Sequence, residues 1–191
     1  GRERAEMMAS LGTGFKVAVL CMYCLLAVAF RSYVYPLIVL LAIPFGIVGA
    51  ILGHILLGYD MSIMTVFGLV ALSGVVVNES LVLVDAVNRY RDEGMPIHEA
   101  VWAAGTRRFR PLLLTSLTTT LGLVPSLSAD SVQARFLIPM AISLGFGVQF
   151  AAILTMFLVP CVYLIVDDIY MLRARLARAF GLGAAEAGAA E

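Results

Sequence analysis

Hydrophobic residues in this chain fall in long runs separated by short polar breaks. Five runs stand out: residues 11–30, 37–57, 61–85, 111–127 and 136–166. About 20 residues of α-helix cross the hydrocarbon core of a bilayer, so the pattern predicts five membrane spans. The opening residues, 1–16, read as a helix leading into the first run. Pro36 suits the first turn of a helix, and Arg31 to Pro36 make a short turn whose tyrosines suit a membrane interface. Gly58-Tyr-Asp60 is a tight turn. The third helix is expected to continue to about Tyr90 and to stop at Gly94. Between the third and fourth runs, Ile97, Ala100, Val101 and Ala104 recur at helical spacing among His98, Glu99 and Arg107. Residues 96–108 therefore read as an amphipathic helix lying on the membrane surface, with Trp102 as its anchor. Residues 125–135 form a polar loop carrying Asp130, Ser131 and Gln133. Residues 169–191 read as a cytoplasmic tail, partly disordered, ending in Ala and Gly. The expected fold class is all-α: a polytopic helix bundle of five transmembrane helices and one interfacial helix.

Composition supports lipid as the solvent. The chain is 61% hydrophobic and 14% charged, with a mean hydropathy of +0.97, against roughly 45–50% and 25% in soluble domains. Its net charge of +0 gives nucleic acid no electrostatic footing. Cys21-Met-Tyr-Cys24 has redox or metal spacing, but it lies in an apolar helix with no second pair to complete a metal site, so these and Cys161 are expected to be ordinary buried thiols. No Walker A, HExxH or GxSxG motif is present, and no nucleophile–base set suggests an enzyme. The sequence opens on Gly1 without a signal-peptide pattern, and it reads as part of a longer polypeptide. With the N-terminus outside, nine Lys and Arg residues fall in inner segments and four in outer ones. The asymmetry favours a periplasmic N-terminus and a cytoplasmic C-terminus.

Polar residues inside the spans are the candidates for function. Asn78 and Glu79 sit within the third run and Asp85 near its end. A carboxylate at the centre of a membrane helix costs roughly 2.5–3.5 kcal/mol on insertion scales and usually has a role there. Adjacent helical residues are about 100° apart, so Asn78 and Glu79 can border one interior wedge. Asp85, four residues before Arg89, reads as a helix-end carboxylate paired with that arginine. Lys16 can snorkel to an interface. Gly46, Gly49 and Gly53, with Ala42 and Ala50, form a small-residue stripe that lets another helix approach closely. Pro44 predicts a kink, and His54 a packed or interfacial histidine. Thr115, Ser116, Thr118, Thr119 and Thr120 form a hydroxyl run that can bond back to its own helix.

Several motifs together resemble one family. They are Phe30-Arg-Ser-Tyr33, Pro36-Leu-Ile38, Ala42-Ile-Pro-Phe-Gly46, Gly74-Val-Val-Val-Asn78, Leu81-Val-Leu-Val-Asp85, Arg108-Phe-Arg-Pro-Leu-Leu-Leu-Thr-Ser116 and Phe136-Leu-Ile-Pro-Met140. The chain resembles the resistance-nodulation-division efflux transporters, in their hydrophobe/amphiphile branch, from about Leu11 to Asp168. The likeness corresponds to the eighth to twelfth of that family's membrane helices. It implies a bacterial inner-membrane homotrimer that exchanges protons for drugs or other amphiphiles. A periplasmic adaptor and an outer-membrane channel are the implied partners, and the proton gradient takes the place of a cofactor. The resemblance further implies a proton relay in which Arg108 and Thr115 match. The family's relay lysine aligns with Asn78, a neutral amide, and Glu79 follows it. A carboxyl taken out of water resists charging, so Glu79 is the candidate to carry the proton in that lysine's absence. The alternatives are a non-transporting membrane scaffold, or a relative serving metals or lipids.

Overall fold

The computed structural model describes residues 2–127 and 132–179. They form six helices: α1 (Arg2–Phe30), α2 (Tyr35–Leu40), α3 (Ala42–Leu57), α4 (Ile63–Asp92), α5 (Ile97–Leu127) and α6 (Val132–Ala179). No strand occurs among the described residues. The all-α membrane bundle expected from the hydropathy pattern is present. Residues 128–131 of the expected polar loop, and the Ala/Gly end of the tail, lie outside the described residues.

Local chemistry sets the boundaries. Pro36 sits in the first turn of α2, where its missing N–H breaks no helical bond. The helix is interrupted once, at Leu41, before continuing as α3. Pro44 is the third residue of α3, so the break expected at Pro44 falls just upstream of it, where the chain has no proline N–H to extend α2 into α3. Gly58 adopts φ 68° and closes α3, a conformation that glycine reaches without steric penalty. The Ser62 N–H donates to Thr65 Oγ1 at 3.0 Å at the start of α4. Gly94, at φ 87°, ends the turn after α4, with its N–H on Arg91 O at 2.9 Å.

α5 differs from expectation. Residues 96–108 do not form a separate surface helix. They continue through Pro111 into the next run as one 31-residue helix. The proline forfeits a single backbone bond, which lone interior prolines lose at about 3 kcal/mol. Against that loss, Ala100, Val101, Ala104 and Leu112 are all buried, so one face packs continuously on both sides of it. Among the described residues, four segments are long and apolar enough to cross a membrane: Ala5–Phe30, Tyr35–Leu57, Ile63–Asp92 and Phe136–Arg173. The run expected at 111–127 is bounded by Arg110 on one side and by residues outside the described ones on the other, so it is neither counted among them nor excluded as a span.

α6 is the axis of the bundle, and α3, α4 and α5 all pack on it. Glycines bring the helices close. A Cβ on Gly49 would clash with Phe150, and one on Gly53 would lie 2.6 Å from Phe146 Cβ. Gly46 turns to α4, where Leu72 and Val76 stand at 3.4 Å from an added Cβ. Gly68 of α4 lies equally tight on α6, its added Cβ 2.8 Å from Met140 O. α1 leans mainly on α2 and leaves most of its apolar surface bare. The cysteines are also on the surface: Cys21, Cys24 and Cys161 are exposed, against the expectation of burial, because they point out of the bundle toward lipid.

Candidate functional site

Glu79 lies near the middle of the α4 span. Its side chain is 4% exposed. Neither carboxyl oxygen has a hydrogen-bond partner, and neither does the adjacent Ser80 Oγ. Buried polar atoms are nearly always satisfied in native structures, so three orphans on one wedge of helix mark a place where a polar partner belongs. Helical spacing puts Glu79 on the same face as Val76 and Leu83, both buried. α4 and α6 run parallel with an offset of 75 residues at the Tyr163–Asn88 hydrogen bond. That register sets Glu79 level with Leu154 and the buried Thr155.

The other candidates do not converge on it. Asn78 is exposed on the outer face of α4, so the shared wedge expected for Asn78 and Glu79 is not formed within this chain. Thr115 is exposed, and its hydroxyl donates to Pro111 O at 2.9 Å. Thr118, Thr119 and Thr120 likewise bond the carbonyls four residues back. Arg108 is half-buried at the far end of α4, where it lines a cavity of about 390 Å³ with Ala86, Arg89, Tyr90, Glu93 and Arg107. Those α4 residues lie two to four turns beyond Glu79, about 10–20 Å along the axis. No hydrogen bond or ion pair joins Asn78, Glu79, Arg108 and Thr115 among the described residues. Asp85 is exposed and pairs with Arg89 at 3.3 Å, as the four-residue spacing implies.

Two polar clusters complete the picture. His54 is buried, with Nδ1 at 3.0 Å from Ala50 O and Nε2 at 3.1 Å from Thr65 Oγ1. It ties α3 to the first turn of α4. The second cluster was not legible in the sequence. Tyr163 is buried, donates to Asn88 Oδ1 and stacks on Tyr35 at 5.3 Å between ring centroids. Arg91 lies 6.0 Å over the Tyr163 ring, reaches Tyr35 Oη at 3.3 Å and pairs with Asp167 at 3.5 Å. This clamp joins α2, α4 and α6 at the end of the bundle where α4 stops. Its members come from three helices, so no local spacing announces them.

The sequence profile of the AcrB/AcrD/AcrF family matches residues 2–167. Two solved structures are similar in fold and sequence. One, a crystal structure of a heavy metal efflux pump in its crystal form II, has a TM-score of 0.79 at 26% identity over 87% of this chain. The other, crystal form I of a heavy metal efflux pump, has a TM-score of 0.64 at 30% identity over 69% of this chain. The chain spans 17% and 14% of the lengths of those two proteins.

Proposed function

The chain belongs to the AcrB/AcrD/AcrF family, and on that footing we propose that it forms part of the membrane domain of a proton-driven efflux pump. The observation that carries the reading is the orphaned carboxyl of Glu79 at mid-span. A lone charge at that depth is disfavoured. Glu79 therefore holds a proton when nothing balances it and releases the proton when a cation or donor from outside this chain comes within reach. Such an alternation is what coupling to a proton gradient requires. The exposed Asn78 supports the same reading. Polar groups left uncovered within the membrane-spanning region of a bundle belong against another helix rather than against lipid. In this proposal the rest of the transporter covers that face and supplies the partner of Glu79. Arg108 then acts from the end of α4 nearest Asp85, as a gate to the path rather than as a contact of Glu79.

The wider features follow from family membership in the same proposal: a bacterial inner-membrane location with a periplasmic N-terminus, a homotrimer, a periplasmic adaptor and an outer-membrane channel. The exported compound is a drug or other amphiphile. Metal cargo is the second reading, favoured by the likeness to heavy metal efflux pumps. One experiment addresses coupling. The complete transporter, reconstituted with an imposed pH gradient, should show substrate-dependent proton flux that Glu79→Gln abolishes. Full flux in that variant would overturn the relay role. Tolerance of dyes and detergents against tolerance of copper, silver and zinc, in a host lacking its own pumps, decides the cargo.

A further inference from the structure

A groove of about 930 Å³ runs between the first half of α5 and the second half of α6. Neither Glu79 nor the relay candidates line it. Its α6 wall extends from Ala152 to Leu164, starting near the centre of the Phe136–Arg173 span. Twelve residues of helix rise about 18 Å, close to half of a hydrocarbon core about 30 Å thick. The groove thus has the length of a single leaflet. Its walls are apolar and open to the side: Trp102 is 79% exposed and Phe157 69%. Gly105 lies midway along the α5 wall, and a Cβ built there meets nothing within 4 Å. A glycine inside a helix is unfavourable by roughly 0.5–1 kcal/mol relative to alanine, and here its effect is to leave the slot unfilled.

The ionisable groups of the lining are confined to the outer end. His98 and Glu99 line it there, whereas Thr106 lies beside Gly105 midway along the wall. The Thr106 hydroxyl is already committed to Trp102 O at 2.6 Å, which leaves the imidazole and the carboxylate for a ligand. Trp102 stands at the same end, and tryptophan favours the level of lipid headgroups.

We propose that this groove is a binding site for a phospholipid with a primary ammonium headgroup, such as phosphatidylethanolamine, its acyl chain in the slot, its ammonium toward Glu99 and its phosphate toward His98. The occupant belongs to the leaflet at the N-terminal end of α5. The assignment stands apart from proton coupling and holds whichever cargo the transporter exports. A helix from elsewhere in the transporter is the competing occupant. The test is native mass spectrometry of the complete transporter in mild detergent, after exchange into phosphatidylethanolamine or phosphatidylcholine. The wild type should retain phosphatidylethanolamine adducts in preference to phosphatidylcholine. Glu99→Gln should lose the preference while still retaining lipid. Gly105→Trp should lose the adducts while eluting as the same oligomer. Should that variant misassemble, Ile153→Trp from the facing wall takes its place. Brominated phosphatidylethanolamine should also quench the part of the emission that Trp102→Phe removes. Absence of adducts in the wild type, equal retention of both lipids, or unchanged retention in the groove-filling variants would overturn the proposal.

Discussion

At the scale of single residues, Glu79 and Asp85 show how environment separates two carboxyls on one helix. Asp85 is exposed and held by Arg89 within a turn, and exposed pairs of this kind contribute little, about 0–1 kcal/mol. Glu79 is buried with both oxygens unmatched, and unsatisfied buried groups cost about 1–3 kcal/mol. Two results follow. In the complete transporter, Glu79→Gln should reduce export far more than Asp85→Asn, in transport assays run at matched expression; equal loss in the two variants would remove the distinction. In this chain alone, where nothing satisfies the carboxyl, Glu79→Leu should raise the melting temperature in detergent. A lowered melting temperature would mean that Glu79 already has a stabilising partner. Tyr163 supplies a third case. Tyr163→Phe removes the bond to Asn88 but keeps the stack on Tyr35, so it should destabilise by about 1 kcal/mol, read as a modest fall in the melting temperature.

At the scale of helices, the glycines divide into those that touch a neighbour and those that do not. Gly49 and Gly53 lie directly against phenylalanines of α6, whereas Gly74 has nothing within 4 Å. Gly49→Leu and Gly53→Leu should therefore destabilise by about 1–3 kcal/mol or more, as overpacking does, while Gly74→Leu should leave the thermal unfolding profile nearly unchanged. Similar profiles for all three would show that α3 does not meet α6 through this stripe. The close approach was readable in the sequence, because small residues three and four apart have few other uses in a membrane helix. Its direction was not, because spacing alone does not say that Gly46 faces α4 while Gly49 and Gly53 face α6. The α3–α4 and α4–α5 turns were also legible, since Gly58 and Gly94 take positive φ. The course of α5 was misread for a related reason. Arginines and a proline mimic a helix boundary locally, and only the continuous packing of Val101, Ala104 and Leu112 shows that the helix carries on.

At the scale of the whole molecule, the bundle reads as one side of a larger assembly. The identity of Glu79 as a functional candidate came from its place in an apolar run, which any sequence shows. The relay itself did not, since the family resemblance alone groups Arg108 and Thr115 with Glu79 and no hydrogen bond or ion pair joins them among the described residues. In the proposed function their partners lie in the rest of the transporter. The chain spans 17% of the heavy metal efflux pump it resembles at a TM-score of 0.79. Transporters of repeated architecture move one repeat against the other around a shared site. An unbalanced carboxyl on one side has nothing to exchange with until the second side is present. These 191 residues by themselves should therefore insert in a bilayer without moving cargo. Purified chain in proteoliposomes, given a pH gradient and a fluorescent amphiphile, should show no gradient-dependent dye movement, whereas the complete transporter under the same conditions should show movement that a protonophore abolishes. Protonophore-sensitive movement by the chain alone would mean that Glu79 completes its proton path within this bundle, and that the face carrying Asn78 needs no second repeat.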